Sequence, residues 1–413
     1  MGVCHRMAIL NNSLTCFDDL FVLLIMKQRI ISLLFLWLLI DLYFFSAINT
    51  VTANVIILYA FWVIDLLLAA GIFFSLATQR ARLASTLMTV NLSLLIPKLV
   101  GSTFLLLEDL TRPFRHFPTR SYLLSEIVIL VAIVVFAFIL FGITKGRHYY
   151  KIRRETLYFD DLPEAFEGFT VTQLSDIHAG SFTDAKGVQK GLDLVNAQGS
   201  DMILFTGDLV NNQASEMDQW IPAFAGLKAP LGKYSVLGNH DYGDYMRWDS
   251  IDAKRENLAR LKEVHSEIGF RLLLNESIRI EKDDHSLHLI GVENWGKGGF
   301  HKYGDLKLAT TNVADDAFKI LLSHDPSHWD EVTLKHHQRV NLTLAGHTHG
   351  AQFGIEVKNF RWSPIKYVYK QWAGLYTQEG KYLYVNRGFG FLGLKGRVGI
   401  WPEIAVLTLR RKV

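Results

Sequence analysis

Five short motifs follow one another along the second half of the chain: Asp176-Ile177-His178, Gly207-Asp208, Gly238-Asn239-His240-Asp241, His324 and Gly346-His347-Thr348-His349. Imidazoles and carboxylates in this mix are ligands for divalent metals. Two such ions about 3.5–4 Å apart can hold both oxygens of an in-line phosphoryl displacement. That arrangement needs several nitrogen and oxygen donors and one carboxylate able to touch both ions. No cysteine belongs to the set, which argues against a structural zinc and suits Mn, Fe or Zn. Each motif alone is a weak signal. A Gly-Asp is usually a turn, and Gly-His-Thr-His could be a loop with two solvated histidines. All five in order, each behind a strand-like run, form a strong one.

The elements that must position these residues are legible as short apolar runs. Residues 171–175 lead into Asp176, 202–206 into Gly207, 234–237 into Gly238, 320–323 into His324 and 342–345 into Gly346. Asp176 and His178, two apart at a strand end, can point the same way. Glycine ahead of Asp208, Asn239 and His347 lets the backbone leave the strand sharply and approach the ions. Residues 184–198 predict a helix with Val188, Leu192 and Val195 on one face, and 248–268 another with Leu258, Leu261, Val264 and Ile268. Strands are expected at 271–274 and 287–292. Strands alternating with helices, then strands in quick succession, predict an α/β domain in which a two-sheet β-sandwich is flanked by helices. Aromatic residues crowd 360–391. They could form an apolar rim that receives a lipid tail, or a hairpin packed on the sheet.

The ordered motifs resemble the calcineurin-like metallophosphoesterase superfamily, whose pattern is D-x-H, G-D, G-N-H-D/E, H and G-H-x-H. The likeness runs from about Phe169 to the C-terminus and is complete at every ligand position. It is nearest to the bacterial membrane-attached branch that includes UDP-diacylglucosamine hydrolases. Val385-Asn386-Arg387-Gly388 and residues 397–403 also resemble that branch, less specifically. Ala351 after Gly350 departs from it where a second glycine is common, with no catalytic consequence. The resemblance implies that Asp176, His178 and His349 bind one metal, that Asn239, His324 and His347 bind the other, and that Asp208 bridges. His240 would then act on the phosphate or its leaving oxygen. Asp241 could orient His240 or support a ligand, or be a solvated turn carboxylate. Arg387 and Arg397 could grip a phosphate, or form structural ion pairs.

Half of the 413 residues are hydrophobic, and they are concentrated at the front. A bilayer span needs about 20 mostly apolar residues. Four segments qualify, at about 30–48, 55–76, 83–107 and 122–143, whereas the run 20–26 is too short. Met26 followed by Lys27-Gln28-Arg29 reads as a natural start, with the residues before it an extension. A cleaved signal peptide is not expected, since the first apolar run is long and lacks an evident cleavage site. The domain scheme is thus extension 1–29, transmembrane region 30–145, basic and aromatic linker 146–168, and catalytic domain 169–413. Lys27 and Arg29, then Arg80 and Arg82, then Lys145 to Arg154 fall on one side of four spans. This predicts a multi-pass protein of the cell membrane with its catalytic domain in the cytoplasm. Pro97 could break the third span, and three spans would reverse that side. Asp41, Asp65 and Lys98 lie within spans, as functional groups or as a pair between helices.

Both cysteines, Cys4 and Cys16, precede the first span, so no disulfide framework is available to the catalytic part. Residues 1–145 hold 10 Lys/Arg and 7 Asp/Glu of the chain's 43 and 40, leaving 33 of each beyond. A formally neutral catalytic part weakens a nucleic-acid substrate. The expected partners are the bilayer and a phosphorylated small molecule or lipid, such as a nucleotide-linked lipid. Two rivals remain: a tethered phosphodiesterase of soluble substrates, and a catalytically silent membrane sensor or scaffold. The complete ligand set argues against the second.

Overall fold

The computed structural model describes residues 28, 32–78, 80–358 and 360–412. The cysteines, the run 20–26, Lys27 and Arg29 lie outside the described residues. The chain forms two units, divided between Leu140 and Phe141.

Four helices among the described residues are long and apolar enough to cross a membrane: α1 (Ser32–Val51), α2 (Val55–Ala77), α3 (Ala81–Thr111) and α4 (Tyr122–Thr144). Asn54 starts α2 by accepting the N–H of Ile56 at 3.0 Å. The third segment does not break at Pro97; α3 runs through it. Proline removes a single backbone donor, and within a bilayer the remaining helix bonds have no water to exchange for, so the ladder on either side holds the segment together. Phe44, Ala47, Leu105 and Val128 form a small core between α1, α3 and α4. The ionisable residues expected within spans are paired. Lys98 Nζ lies 2.9 Å from Asp41 and 2.8 Å from both oxygens of Asp65, joining α1, α2 and α3. The ring of Phe61 lies 4.3 Å from the same ammonium.

In the second unit the strands are β1 (Lys151–Phe159), β2 (Thr170–Leu174), β3 (Met202–Phe205), β4 (Lys233–Ser235), β5 (Arg271–Leu272), β6 (Glu276–Lys282), β7 (His285–Gly291), β8 (Lys319–Leu322) and β9 (Leu342–Ala345). They continue with β10 (Ile355–Val357), β11 (Phe360–Trp362), β12 (Gly374–Gln378), β13 (Lys381–Val385) and β14 (Glu403–Arg411). One six-stranded sheet has the order β1-β14-β2-β3-β4-β5 and the other β12-β13-β9-β8-β7-β6, with β10-β11 as a separate ribbon. The pairings β2-β3-β4 and β7-β8-β9 are parallel, so each set ends at one edge of its sheet. The sheets pack face to face over Leu204, Val236, Leu289, Ile320, Leu344 and Leu407.

Alternation explains why both faces of the first sheet are buried. Met202 and Leu204 of β3 enter the intersheet core, while Ile203 and Phe205 meet the helical layer outside. That layer holds α5 (Ala185–Asn196), α6 (Ile221–Ala225) and α7 (Ile251–Glu267). Asp184 caps α5 through Gly187 N–H at 3.1 Å, and Ser250 caps α7 through Ala253 N–H at 3.0 Å. Val188, Leu192, Val195, Leu261, Val264 and Ile268 are buried as expected, whereas Leu258 is only half-buried. The sequence 374–385 forms the β12-β13 hairpin, so part of the aromatic tract packs as a sheet.

Replacing Lys98 with Met should leave two carboxylates facing each other among the spans. Breaking a buried ion pair from one side costs about 3–5 kcal/mol. The detergent-solubilised full chain should therefore aggregate at a clearly lower temperature, and adding Asp65→Asn should recover part of the loss. Unchanged thermal aggregation of Lys98→Met would show that the triad contributes little to the bundle.

Candidate metal centre

The parallel strands bring the five motifs to one place. Asp176 and His178 leave β2, Asp208 leaves β3, Asn239 follows β4, His324 follows β8, and His347 and His349 follow β9. The C-terminal edges of both sheets thus converge. Five of these residues take positive φ: Asp176 51°, His178 49°, Asp208 61°, His347 69° and His349 50°. Such backbone costs on the order of 1–3 kcal/mol per residue and is held only where surrounding bonds demand it.

Those bonds are present. The N–H groups of Asp176 and His178 donate to the carbonyls of Gly207 and Asp208 at 2.9 and 3.1 Å. His240 N–H donates to Asp208 Oδ1 at 2.8 Å, and His347 N–H to Asp176 Oδ1 at 3.1 Å, which ties the two sheets' loops together. The glycines serve close approach as well as turning. A Cβ on Gly346 would stand 1.8 Å from Ser175 Oγ, and one on Gly238 2.2 Å from Asp208 Oδ1.

Two groups of donor atoms result: Asp176, His178 and His349, and Asp208, His324 and His347, each group lying within 4.8 Å. In the first, His349 Nε2 is 3.0 Å from His178 Nε2 and 3.2 Å from Asp176 Oδ1. In the second, Asn239 Oδ1 is 3.2 Å from His324 Nε2 and 2.8 Å from His347 Nδ1. Asp208 Oδ2 lies 3.5 Å from His178 Nε2 and 3.2 Å from His324 Nε2, one ring of each group.

The electrostatics are those of a cation site. Asp176 and Asp208 are wholly buried. Burial opposes their charge, but the neighbouring imidazoles, His349 for Asp176 and His324 for Asp208, hold both carboxyls below their usual range. Burial likewise opposes a proton on His324, yet the Asp208 carboxylate pushes its ring up to about 10. Burial holds His178 and His347 below the ordinary imidazole range, whereas the proton held on His324 is one that a bound cation would displace. Converging ring nitrogens and anionic oxygens, with no sulfur, fit a pair of divalent cations.

The remaining sequence candidates divide. The ring of His240 lies 4.9 Å from that of His178, and its Nδ1 is 2.8 Å from the carbonyl oxygen of Asn211. Asp241 does not orient it, and it is no solvated turn carboxylate. It is fully buried and accepts the N–H groups of Asp208, Leu209, Val210 and Gly238 at 2.8–3.3 Å, joining two ligand loops. Burial and the Asp208 charge push its carboxyl up to about 7, against the pull of those donors.

Arg387 and Arg397 correct the expected phosphate grip. Arg387 is paired with Glu403 at 2.5 Å and Glu356 at 2.6 Å. Arg397 is completely buried and donates to the carbonyls of Arg387, Gly390 and His349. Both are buried, and a buried guanidinium must spend its donors on internal partners.

Several contacts were not foreseen. Tyr369 Oη is 2.8 Å from His347 Nε2 and donates to Asp325 Oδ2 at 3.3 Å. Tyr245 Oη accepts Asn239 Nδ2 at 2.8 Å, and its ring lies 4.4 Å from that of His240. Glu216 accepts the N–H groups of Asn211, Asn212 and Gln213 and so fixes the carbonyl that meets His240. Asp325 directly follows His324, and that adjacency was the one available signal. Tyr369 and Glu216 come from segments with no motif.

Residues 169–351 match the calcineurin-like phosphoesterase family, and residues 27–147 match a family described as a probable calcineurin-like phosphoesterase transmembrane domain. The chain belongs to the calcineurin-like metallophosphoesterases, in their multi-pass membrane form. It is 29% identical over 64% of its length to the Bacillus subtilis protein described as uncharacterized metallophosphoesterase YkuE, of which it covers 86%. It is 26% identical over 68% of its length to a zebrafish (Danio rerio) transmembrane protein with metallophosphoesterase domain, of which it covers 62%. It is also 26% identical over 60% of its length to the Chlamydia muridarum UDP-2,3-diacylglucosamine pyrophosphatase LpxG, of which it covers 86%.

Gly346→Ala tests the interlocked loops. The added methyl would collide with Ser175 and Asp176, and overpacking of this kind typically costs about 1–3 kcal/mol. The melting temperature and the bound divalent metal, measured by elemental analysis, should both fall. A variant with unchanged values in both would refute the close approach.

Proposed function

We propose that this chain is a membrane-bound hydrolase of a phosphodiester or pyrophosphate that works with two divalent ions, its substrate class being nucleotide-linked lipids. The observation that carries the reading is the position of Asp208 Oδ2, within 3.5 Å of His178 and 3.2 Å of His324. Asp176, His178 and His349 would hold one ion, Asn239, His324 and His347 the other, and Asp208 both. Mn, Fe or Zn suits these donors. When bound, such a pair supplies Lewis acidity to the phosphoryl oxygens and makes nearby water a better nucleophile.

The chain's own groups do the rest. His240 donates a hydrogen bond from Nδ1–H to the Asn211 carbonyl, which leaves Nε2 for the substrate. From Nε2 it would stabilise charge on a phosphoryl oxygen or assist departure of the leaving oxygen. Tyr369 and Asp325 engage His347 Nε2 and so turn Nδ1 toward Asn239. A cleft of about 180 Å³ beside Asn239, walled by Tyr242, Tyr245, Asn294, Phe300 and Tyr303, receives the group flanking phosphorus. The lipid part of the reading is supported by the four spans and by the activity named for the chlamydial relative. The cytoplasmic placement of the catalytic unit is supported by the basic residues flanking the spans, while Arg112 and Arg120 of the opposite loop are paired with Asp109 and Glu108.

Two substitutions separate ligand from acid. Asp208→Asn removes a charge shared by both ions, so metal content and turnover should fall together. His240→Asn should keep the metal and lose roughly 10²–10⁴-fold in rate. The assay compares a lipid-linked UDP-sugar pyrophosphate with a soluble UDP-sugar, with products identified by mass spectrometry. Near wild-type hydrolysis by Asp208→Asn would sink the two-ion reading, and preference for the soluble substrate would sink the lipid one.

Topology is tested separately. A reporter active only in the cytoplasm, fused after residue 413, should be on, and one active only outside should be off. The same pair inserted after Asn54 should give the opposite result. An external signal at the C-terminus would place the enzyme on the outer face and exclude cytoplasmic substrates.

A further inference from the structure

We infer that the β10-β11 ribbon is an interfacial membrane-docking element of the catalytic unit, whose partner is the headgroup and upper acyl layer of the bilayer. The argument begins with the register. Ile355 faces Trp362, Glu356 faces Arg361 and Val357 faces Phe360. Ile355, Val357, Phe360 and Trp362 therefore share one face of the ribbon, and Glu356 and Arg361 share the other.

On the polar face Glu356 is half-buried and Arg361 is exposed, yet both reach partners on the body of the unit. Glu356 meets Arg387 at 2.6 Å and Arg153 at 2.7 Å, and Arg361 donates to the Ala373 carbonyl at 2.5 Å. The apolar face looks outward, with Ile355 52%, Val357 61% and Phe360 61% exposed. Soluble antiparallel strands bury the apolar side and solvate the polar one. This ribbon instead leaves three of its four apolar side chains exposed, with only Trp362 half-buried. The apolar surface continues into Tyr367 and Val368, each 75% exposed, and Lys358, Lys366 and Lys370 stand exposed around it. A contiguous apolar patch rimmed by cations is the surface chemistry of lipid docking, with the acyl region taking the apolar tips and phosphates the ammonium groups.

Continuity selects the bilayer over other partners. Gly354, at the root of the ribbon, donates its N–H to the Val398 carbonyl at 2.9 Å. The preceding residue, Arg397, donates to the Gly142 carbonyl at 3.1 Å, and Gly142 belongs to the last turns of α4. Phe141, Tyr149 and Trp401 cluster there with ring centroids 5.5–6.4 Å apart, the composition of a membrane–water belt. The root of the ribbon is therefore tied to the point where a span leaves the membrane. The same segment then reaches Tyr369, which holds His347. Docking at this face sets the donor groups close to lipid-borne phosphate, although the docking does not depend on turnover.

The test uses the full chain in liposomes, with Cys4 and Cys16 changed to Ser. Single cysteines replace Val357, Phe360 or Tyr367, with Arg255 on α7 as the control, and each is labelled with bimane. Lipids brominated in the upper acyl chain should quench the three ribbon labels, and aqueous iodide should spare them. The label at 255 should respond to iodide alone. Three positions keep the outcome independent of one poorly folded variant. Iodide quenching of the ribbon labels equal to that at 255, without quenching by brominated lipid, would overturn the inference. Protection from both quenchers would also overturn it, in favour of burial against protein, such as a second copy of the chain.

Discussion

One oxygen of Asp208, a buried side chain, lies 3.5 Å from a ring of the first donor group and 3.2 Å from a ring of the second. Placing a carboxylate there requires the chain to leave β3 with Gly207 at φ 93° and Asp208 at φ 61°. The neighbouring loops must then pass so close that Gly238 and Gly346 have no room for a side chain. The strain at the five positive-φ positions of the cluster is offset by bonds that cross between loops, from His240 to Asp208 and from His347 to Asp176. Each carboxylate thus has two tasks, as a donor toward the cluster and as an acceptor that locks the adjacent loop.

Asp241 extends the same logic without touching a donor group directly. Its four backbone donors come from Asp208, Leu209, Val210 and Gly238, so it fastens the loop after β3 to the loop after β4. Burying an unpaired carboxylate is costly, and a buried one surrounded by N–H groups is a rigid clamp. Arg387 and Arg397 are comparable clamps on the other side, spending their donors on Glu403, Glu356 and main-chain carbonyls. Preorganisation of this kind matters in a phosphoryl-transfer site, because donors that need not reorganise stabilise developing charge most effectively.

Each unit also contains an inversion of the usual rule for polarity. In the spans, Lys98, Asp41 and Asp65 place charges where lipid would exclude them, and close pairing makes this tolerable. In the second unit, the β10-β11 ribbon leaves Ile355, Val357 and Phe360 exposed while Glu356 pairs inward with Arg387. Both exceptions have the same root. The sign of a polar or apolar contact depends on the medium facing it, and these residues face media unlike bulk water.

The clustering of these donor side chains was legible in the sequence because each sits within a few residues of a strand end, and local spacing encodes it. Asp176 and His178, Gly207-Asp208 and Gly346-His347 all announce themselves in this way, as do the four apolar stretches and the strand–helix alternation that implied a flanked sandwich. The contacts that needed the fold join segments far apart in the chain. Tyr369 meets His347 across 22 residues, Asn211 meets His240 across 29, and His347 meets Asp176 across 171. The fates of Asp241, Arg387 and Arg397 were undecidable for the same reason, since a charged residue's role depends on which partners surround it. By itself the sequence determined which donors exist and which element carries each. Only the tertiary structure decided which carboxylate oxygen lies between the groups and which charges serve as internal clamps, because those outcomes depend on how two sheets and their loops approach one another in space.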